Sequence, residues 1–181
     1  MRIITGSAKG FKLKAPKGLD VRPTSDRVKE SIFSILADRV GDAAVADLFA
    51  GTGNLGLEAL SRGAEQVVFV DNSHTSMSFI KENAARTKLF ESAQFMKSDV
   101  LAAIEKLAAG GRVFDIIFCD PPYNRGFVEK ALRSIDRFRL LAPGGMIVVE
   151  HSKHEPVPAD LSHLAASRTE RYGETLVSFV Q

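Results

Sequence analysis

Two short stretches hold residues whose types and order could do chemistry. The first is Asp47-Leu-Phe-Ala-Gly-Thr-Gly-Asn-Leu-Gly56, with Gly51, Gly53 and Gly56 at GxGxxG spacing. Glycines so placed let a backbone approach a ligand closely and let a following helix N-terminus aim N–H groups at it. Asp71 stands twenty residues after Gly51, where an acid accepts hydrogen bonds from both hydroxyls of a ribose. Together they point to an adenosine-bearing cofactor. No lysine follows Gly56, which excludes a Walker A phosphate loop.

A count of acids narrows the cofactor. Asp47, Asp71, Asp99 and Asp120 each fall at or near the end of an apolar, strand-like run. In open α/β sheets, ligands bind at the carboxyl ends of the strands. Four carboxylates around one crevice would repel the pyrophosphate of a dinucleotide and suit S-adenosyl-L-methionine, which carries a sulfonium, an ammonium and no phosphate. Each acid could instead cap the helix that follows it, and Ser98-Asp99-Val100 fits that role well. The cofactor-binding set is Asp47, Phe49, Ala50, Gly51, Gly53, Gly56, Asp71, Asn72, Asp99, Val100 and Asp120; Phe49 also counts, with Phe69, Phe114 and Phe118, as a strand residue of the core.

The second stretch is Asp120-Pro-Pro-Tyr123, the catalytic candidate set Asp120, Pro121, Pro122 and Tyr123. Two prolines hold the backbone extended, so the Asp120 carboxylate and the Pro121 carbonyl can be aimed together. That pair of acceptors can grip both hydrogens of an exocyclic amine and draw its lone pair out of conjugation. Tyr123 can stack on the base, which must be unpaired or flipped, and needs its ring rather than its hydroxyl for this. Alone, the motif is equally a strand-terminating turn.

These residues need strands and helices to place them. Arg2–Thr5 and Phe11–Ala15 flank a turn-rich segment and predict a hairpin. Thr24 offers an N-cap to a helix marked by Val28, Ile32, Ile35 and Leu36. From Ala44 onward, strand-like Ala44–Phe49, Gln66–Asp71, Ala93–Lys97, Val113–Asp120 and Gly145–Glu150 alternate with helices beginning near Asn54, Ser73, Val100 and Asn124. This alternation predicts a Rossmann-like, mostly parallel α/β sheet covered on both faces. Ala166–Tyr172 and Thr175–Val180, joined by Gly173 and Glu174, predict a C-terminal antiparallel hairpin.

Composition sets the outer limits. The 181 residues, 45% of them hydrophobic, suffice for a core. Cys119 is the one cysteine, so no intramolecular disulfide forms, and no Cys/His spacing suggests a metal. No signal peptide or membrane-spanning run is apparent, giving the expectation of a cytoplasmic protein without membrane association. Cys119 reads as inert packing. His151 could face the substrate, although a lone surface histidine is commoner. Net charge is +2, yet residues 1–30 hold eight Lys/Arg against three acids. A basic arm suggests a polyanionic partner; lysines that block edge pairing are an equal alternative.

The two chemical stretches look like motifs I and IV of class I amino-methyltransferases. With them, Met1-Arg-Ile-Ile-Thr-Gly, Arg22-Pro-Thr-Ser-Asp-Arg-Val-Lys-Glu-Ser-Ile-Phe33, Gly56-Leu-Glu-Ala-Leu-Ser-Arg-Gly-Ala64 and Val149-Glu-His-Ser152 resemble the RsmD family across essentially the whole chain. That family methylates guanine N2 at one site in bacterial 16S rRNA. The resemblance implies that the glycine loop holds the methionine half of the cofactor and that Arg22, Thr24 and neighbours close over cofactor and substrate. It also implies that the N-terminal hairpin touches RNA. The candidate RNA contacts are Arg2, Lys9, Lys12, Lys14, Arg22, Thr24, Arg27 and Tyr123, within an RNA-contacting extension over 1–40 that precedes a methyltransferase domain over 41–181. The expected partner is 16S rRNA in a small-subunit assembly particle, met by a monomer without a metal.

Other activities share parts of this pattern. A DNA or RNA adenine N6-methyltransferase uses the same Asp-Pro-Pro-Tyr logic, but the DNA enzymes usually carry a target-recognition domain for which 181 residues leave no room. A protein glutamine methyltransferase would more often have Asn at position 120. Strand-end acids and Asp120-Pro-Pro-Tyr123 argue against an NAD(P) oxidoreductase. A non-catalytic RNA-binding module has only the basic arm in its favour.

Overall fold

The computed structural model describes residues 1–16 and 25–181. Its strands are β1 (Ala44–Asp47), β2 (Gln66–Asp71), β3 (Ala93–Lys97), β4 (Phe114–Cys119), β5 (Leu141–Ser152), β6 (Ala166–Tyr172) and β7 (Thr175–Val180). Helices α1 (Asp26–Leu36), α2 (Asn54–Ser61), α3 (His74–Arg86), α4 (Val100–Ala109) and α5 (Phe127–Phe138) connect or precede them. One sheet results, in the order β3-β2-β1-β4-β5-β7-β6. Its first five strands are parallel, and β7 pairs antiparallel with both β5 and β6.

The two-residue period of each strand divides the core between the two faces. Val45, Val67, Phe69, Ile116, Phe118 and Val148 pack toward one side, with Ile3, Leu13, Ile32, Phe33 and Leu57. Their neighbours Ala46, Val68, Val70, Ile117, Cys119 and Val149 pack toward the other, with Ile104, Leu107, Leu132 and Ile135 of α4 and α5. The central strands are apolar on both faces because both faces are covered. From β1 the chain steps outward to β2 and β3, then returns to place β4 on β1's other side. The switch point therefore lies between the carboxyl ends of β1 and β4, where α/β sheets receive ligands.

Several boundaries differ from expectation. The N-terminal hairpin forms but is short: beside the antiparallel bridge Arg2↔Lys12, Ile3 N–H donates to Phe11 O at 2.9 Å, Gly10 N–H to Ile3 O at 2.8 Å and Leu13 N–H to Met1 O at 3.2 Å. Its remaining amides are held by the body of the protein: Ile4 and Thr5 N–H donate to the Glu58 carboxylate at 2.7 and 3.0 Å, and Lys14 N–H donates to Asn83 Oδ1 at 2.8 Å. The N-cap of α1 is Ser25, whose Oγ accepts from Val28 N–H, in place of Thr24, which lies outside the described residues. Helix α5 starts at Phe127, because Asn124 and Gly126 take positive φ angles of 57° and 70° that no α-helix accommodates. Strand β5 runs longer than Gly145–Glu150, extended at its end by pairing with β7 as far as Ser152↔Thr175. Among the described residues, no helix is long and apolar enough to cross a membrane.

Candidate active site

At the switch point, β1 hands over to the glycine loop while its backbone stays held from both sides. Leu48 N–H donates to Phe118 O at 3.0 Å and Ala50 N–H to Val70 O at 3.0 Å. Gly51 and Gly53 then turn with φ of +56° and +81°, where a β-carbon is strained. Gly56 answers a different need: a β-carbon there would lie 2.3 Å from Phe69 Cε1, so its absence lets α2 close onto β2. Gly51 and Gly53 thus serve the turn and Gly56 the packing of helix on strand.

The acids do not all face the crevice. Asp47 is 2% exposed, and its Oδ2 accepts Gly56 N–H at 3.0 Å. Burial pushes its pKa up to about 7, partly offset by that hydrogen bond and reinforced by Asp71. Asp47 is therefore turned inward and braces the loop through Gly56, whereas Asp71, Asp99 and Asp120 are at least partly exposed. Asp71, half-buried, receives Gly51 N–H on Oδ2 at 2.9 Å and Ser73 N–H on Oδ1 at 2.8 Å. Two amides hold this carboxylate rigidly, and each oxygen retains a second lone pair for a ligand hydroxyl. Asp99 caps α4 through Oδ1, which accepts from Leu101 and Ala102 N–H, as its sequence context allowed. Asn72 is exposed, whereas the Val100 side chain is buried in the core beside α4, which leaves its backbone for any ligand.

Asp120 follows β4 directly and is half-buried; Pro121 is buried, Pro122 exposed and Tyr123 half-buried. The Tyr123 hydroxyl donates to Glu150 Oε1 at 2.8 Å and lies 3.1 Å from Thr175 Oγ1. Burial, with Glu150 nearby, raises the phenol above its ordinary range. The hydroxyl thus has partners, and Tyr123→Phe is not the neutral change that a stacking role alone implied. Beyond it, Ser152 Oγ donates to Asn124 Oδ1 at 2.8 Å, and the Glu155 carboxylate accepts Asn124, Arg125 and Gly126 N–H. Phe49, partly buried against the core, meets Phe127 edge-on with ring centroids 5.8 Å apart, so an aromatic pair spans from the glycine loop to the start of α5. A cleft of about 660 Å³ bordered by Asn124, Gly126, Arg133, His154 and Glu155 adjoins this loop.

The basic arm is less basic at its surface than its composition. Lys29, 0% exposed, is buried: Nζ donates to Arg2 O at 2.6 Å and Asn54 Oδ1 at 2.8 Å, beside Glu58 Oε2 at 3.2 Å. Arg2 pairs with Asp26 at 3.0 Å, and Lys14 with Glu82. Lys9, Lys12 and Arg27 are exposed. Arg22 lies outside the described residues, as does Thr24. Asn83, buried, joins the arm to the glycine loop by donating to Lys14 O and Thr52 O, both at 3.0 Å. Sequence reasoning gave Glu58, Asn83 and Asn54 no individual role, and the contacts that gather them around the arm were invisible before folding. His151 faces no crevice; it is buried between Ser152 O and Ser178 Oγ, at 3.0 and 2.8 Å. Cys119 is fully buried, its thiol pushed up by desolvation. Among the described residues, no group of three or more His, Cys, Asp or Glu could hold a metal ion.

Comparison with known proteins matches this frame along its length. A family model described as Conserved hypothetical protein 95 matches residues 1–181. A Bacillus subtilis protein described provisionally as the rRNA methyltransferase YlbH is 40% identical over 178 residues, covering 98% of this chain and 97% of that one. Ribosomal RNA small subunit methyltransferase D of Escherichia coli strain K12 is 33% identical over 181 residues, with 100% and 89% covered. A solved Escherichia coli structure, yhhF, described provisionally as a methyltransferase, superposes with a TM-score of 0.87 at 32% identity, covering 100% of this chain and 97% of that one.

Proposed function

The chain belongs to the Conserved hypothetical protein 95 family, the RsmD family of its motifs, and we propose that it methylates the N2 amine of one guanine in 16S rRNA. It is an S-adenosylmethionine-dependent rRNA methyltransferase. The observation that carries this reading is the meeting, at one switch point, of the glycine loop after β1 and Asp120-Pro-Pro-Tyr123 after β4. The cofactor fits the donor set: a close-approach backbone at Gly51–Gly53, a carboxylate at Asp71 fixed by two amides, and acidic rather than phosphate-binding surroundings.

Bound S-adenosylmethionine supplies an electrophilic methyl group on its sulfonium. Asp71 receives the ribose hydroxyls, and the backbone of Phe49 to Gly53 faces the methionine half. Asp120 and the Pro121 carbonyl accept the two amine hydrogens of the target base, which localises the nitrogen lone pair for attack. Asp120 is also the carboxylate placed to take the proton that the amine sheds. Tyr123 stacks on the base, which leaves the RNA helix to reach it. Residues 1–40 form the RNA-contacting extension of the domain over 41–181, through Lys9, Lys12 and Arg27, with Arg2 and Lys14 bound first to their acids and Arg22 and Thr24 completing the set. The protein acts as a cytoplasmic monomer on a small-subunit assembly particle.

Small ribosomal particles from a strain lacking the gene, incubated with methyl-labelled cofactor and digested to nucleosides, test this. Label is expected in N2-methylguanosine of 16S rRNA. Label in N6-methyladenosine would replace the substrate and keep the reaction class.

A further inference from the structure

Glu150 lies in Val149-Glu-His-Ser152, a stretch to which no chemical role was given, and its placement ties two parts of the molecule together. It lies on β5, where it pairs with Val177 of β7, and is 7% exposed. A carboxylate this deep persists only with hydrogen-bond donors around it. One donor is the Tyr123 hydroxyl, at 2.8 Å from Oε1. That hydroxyl has one hydrogen, so at Thr175 Oγ1, 3.1 Å away, it acts as acceptor and the threonine donates. Thr175 is itself buried, at the first residue of β7. The far end of the tyrosine is therefore gripped from two strands of the antiparallel part of the sheet.

This grip matters because the loop carrying Tyr123 belongs to no strand or helix. Asn124 sits in the left-handed region, and α5 begins only at Phe127. Fixing the hydroxyl oxygen fixes the first of a tyrosine's two side-chain torsions, and because a phenol O–H lies in the plane of its ring, bonds to two partners also restrict rotation about the second. The Ser152–Asn124 and Glu155 hydrogen bonds hold the backbone beyond it, again from β5 and the segment after it. The strand after the Asp-Pro-Pro-Tyr loop thus sets where that loop's aromatic face points.

We propose that Glu150 is a positioning residue for methyl transfer: with Thr175, it tethers the Tyr123 hydroxyl so that a base stacked on the ring presents its amine to Asp120. The inference rests on the stacking role given to Tyr123 above. It goes further in assigning a function to the tyrosine hydroxyl and to a carboxylate outside both motifs. Glu150 touches neither substrate nor reacting atoms and acts through Tyr123.

Three variants test it: Glu150→Gln, which keeps an acceptor oxygen, Tyr123→Phe, and their combination. Tyr123→Phe, which loses the hydrogen bond, is expected to lower kcat/KM for RNA about tenfold, and Glu150→Gln, which keeps a neutral bond in place of a charge-assisted one, by less. Cofactor affinity by calorimetry stays at the wild-type value. The double variant is no slower than Tyr123→Phe alone, because without the hydroxyl there is nothing left for residue 150 to hold. A second readout needs no turnover. The chain has no tryptophan and two tyrosines, so in a Tyr172→Phe background Tyr123 alone fluoresces. A phenol bonded to a carboxylate is quenched, and Glu150→Gln should raise its emission. Additive kinetic losses, a matching fall in cofactor affinity, or unchanged emission would each overturn the tether. Failure of the wild-type chain to methylate RNA overturns the functional reading separately, since the emission test is independent of activity.

Discussion

Lys29 Nζ stands 3.2 Å from Glu58 Oε2, and both side chains are fully buried. The pair joins three parts of the molecule. Glu58 also accepts Ile4 and Thr5 N–H from the arm and Arg62 Nε at 2.8 Å, while Lys29 reaches Asn54 at the head of α2. Burial lowers the Lys29 pKa, and Glu58 opposes that shift. Lys29→Met leaves Glu58 with Arg62 as its remaining cation and strips Arg2 O and Asn54 of their buried donor, and is expected to cost about 1–3 kcal/mol of stability. Urea unfolding measures this. A stable variant with a reduced salt dependence of RNA binding would instead make Lys29 a surface contact.

Asp47 gives the chain a pH dependence whose sign follows from its raised pKa of about 7. The native state holds this proton more tightly than the unfolded chain does. Its stabilising contribution is therefore complete below the ordinary carboxylate pKa and is lost as pH rises toward 7. Asp47→Asn keeps an acceptor for Gly56 N–H and removes the ionisation. Relative to wild type, the variant should gain stability steadily between pH 4 and about 7 and no further above that, with a total difference of up to about 4 kcal/mol. Parallel melting curves for the two proteins across that range would contradict the buried, titrating carboxyl.

Asp71→Ala removes the proposed ribose acceptor and also frees Gly51 and Ser73 N–H. Affinity for S-adenosylmethionine should fall by about 1–3 kcal/mol. Calorimetry returning the wild-type affinity would take Asp71 out of the cofactor site.

Asp120→Ala should bind the cofactor with near wild-type affinity while turnover falls at least about a hundredfold, the usual scale for losing a positioned proton acceptor. Single-turnover measurements on rRNA separate the two effects. Retained turnover would reduce Asp120-Pro-Pro-Tyr123 to a strand-ending turn.

Lys9 and Lys12 are exposed on the arm, whereas Lys14 is paired with Glu82. Changing Lys9 and Lys12 to Gln should lower the log–log salt slope of RNA binding by roughly 0.7–0.9 per residue. Lys14→Gln should change it less, because that ammonium already has a carboxylate. Filter binding across a salt series measures all three; equal effects at the three positions would mean that RNA displaces Glu82.

The features legible in the chain were those encoded over short distances. The alternation of strands and helices follows from apolar periods of two and of about four residues, which decide which face each segment buries. The glycine loop and Asp120-Pro-Pro-Tyr123 were legible because their chemistry is local: a turn at Gly53 and an extended backbone at Pro121 and Pro122 depend on neighbouring residues alone. Even Asp99 as a cap was visible, since its partners Leu101 and Ala102 lie two and three positions on.

Tertiary structure decided what each charge does. Lys29 looks in the chain like any other member of a basic arm, and Glu58 like a solvent-facing helical residue. Only the packing of α1 and the arm against α2 makes them a buried pair, because desolvation depends on what covers a side chain and not on its neighbours in sequence. The same holds for Asp47, turned inward beneath its loop, and for His151, sealed between β5 and β7. The short N-terminal hairpin is docked through Glu58 for a related reason: the Ile4 and Thr5 N–H groups bond to whichever acceptor the fold brings within reach. Glu150 reaches Tyr123 across 27 positions, because strand order puts β5 beside β4 and β7 beside β5, and no spacing along the chain encodes that adjacency.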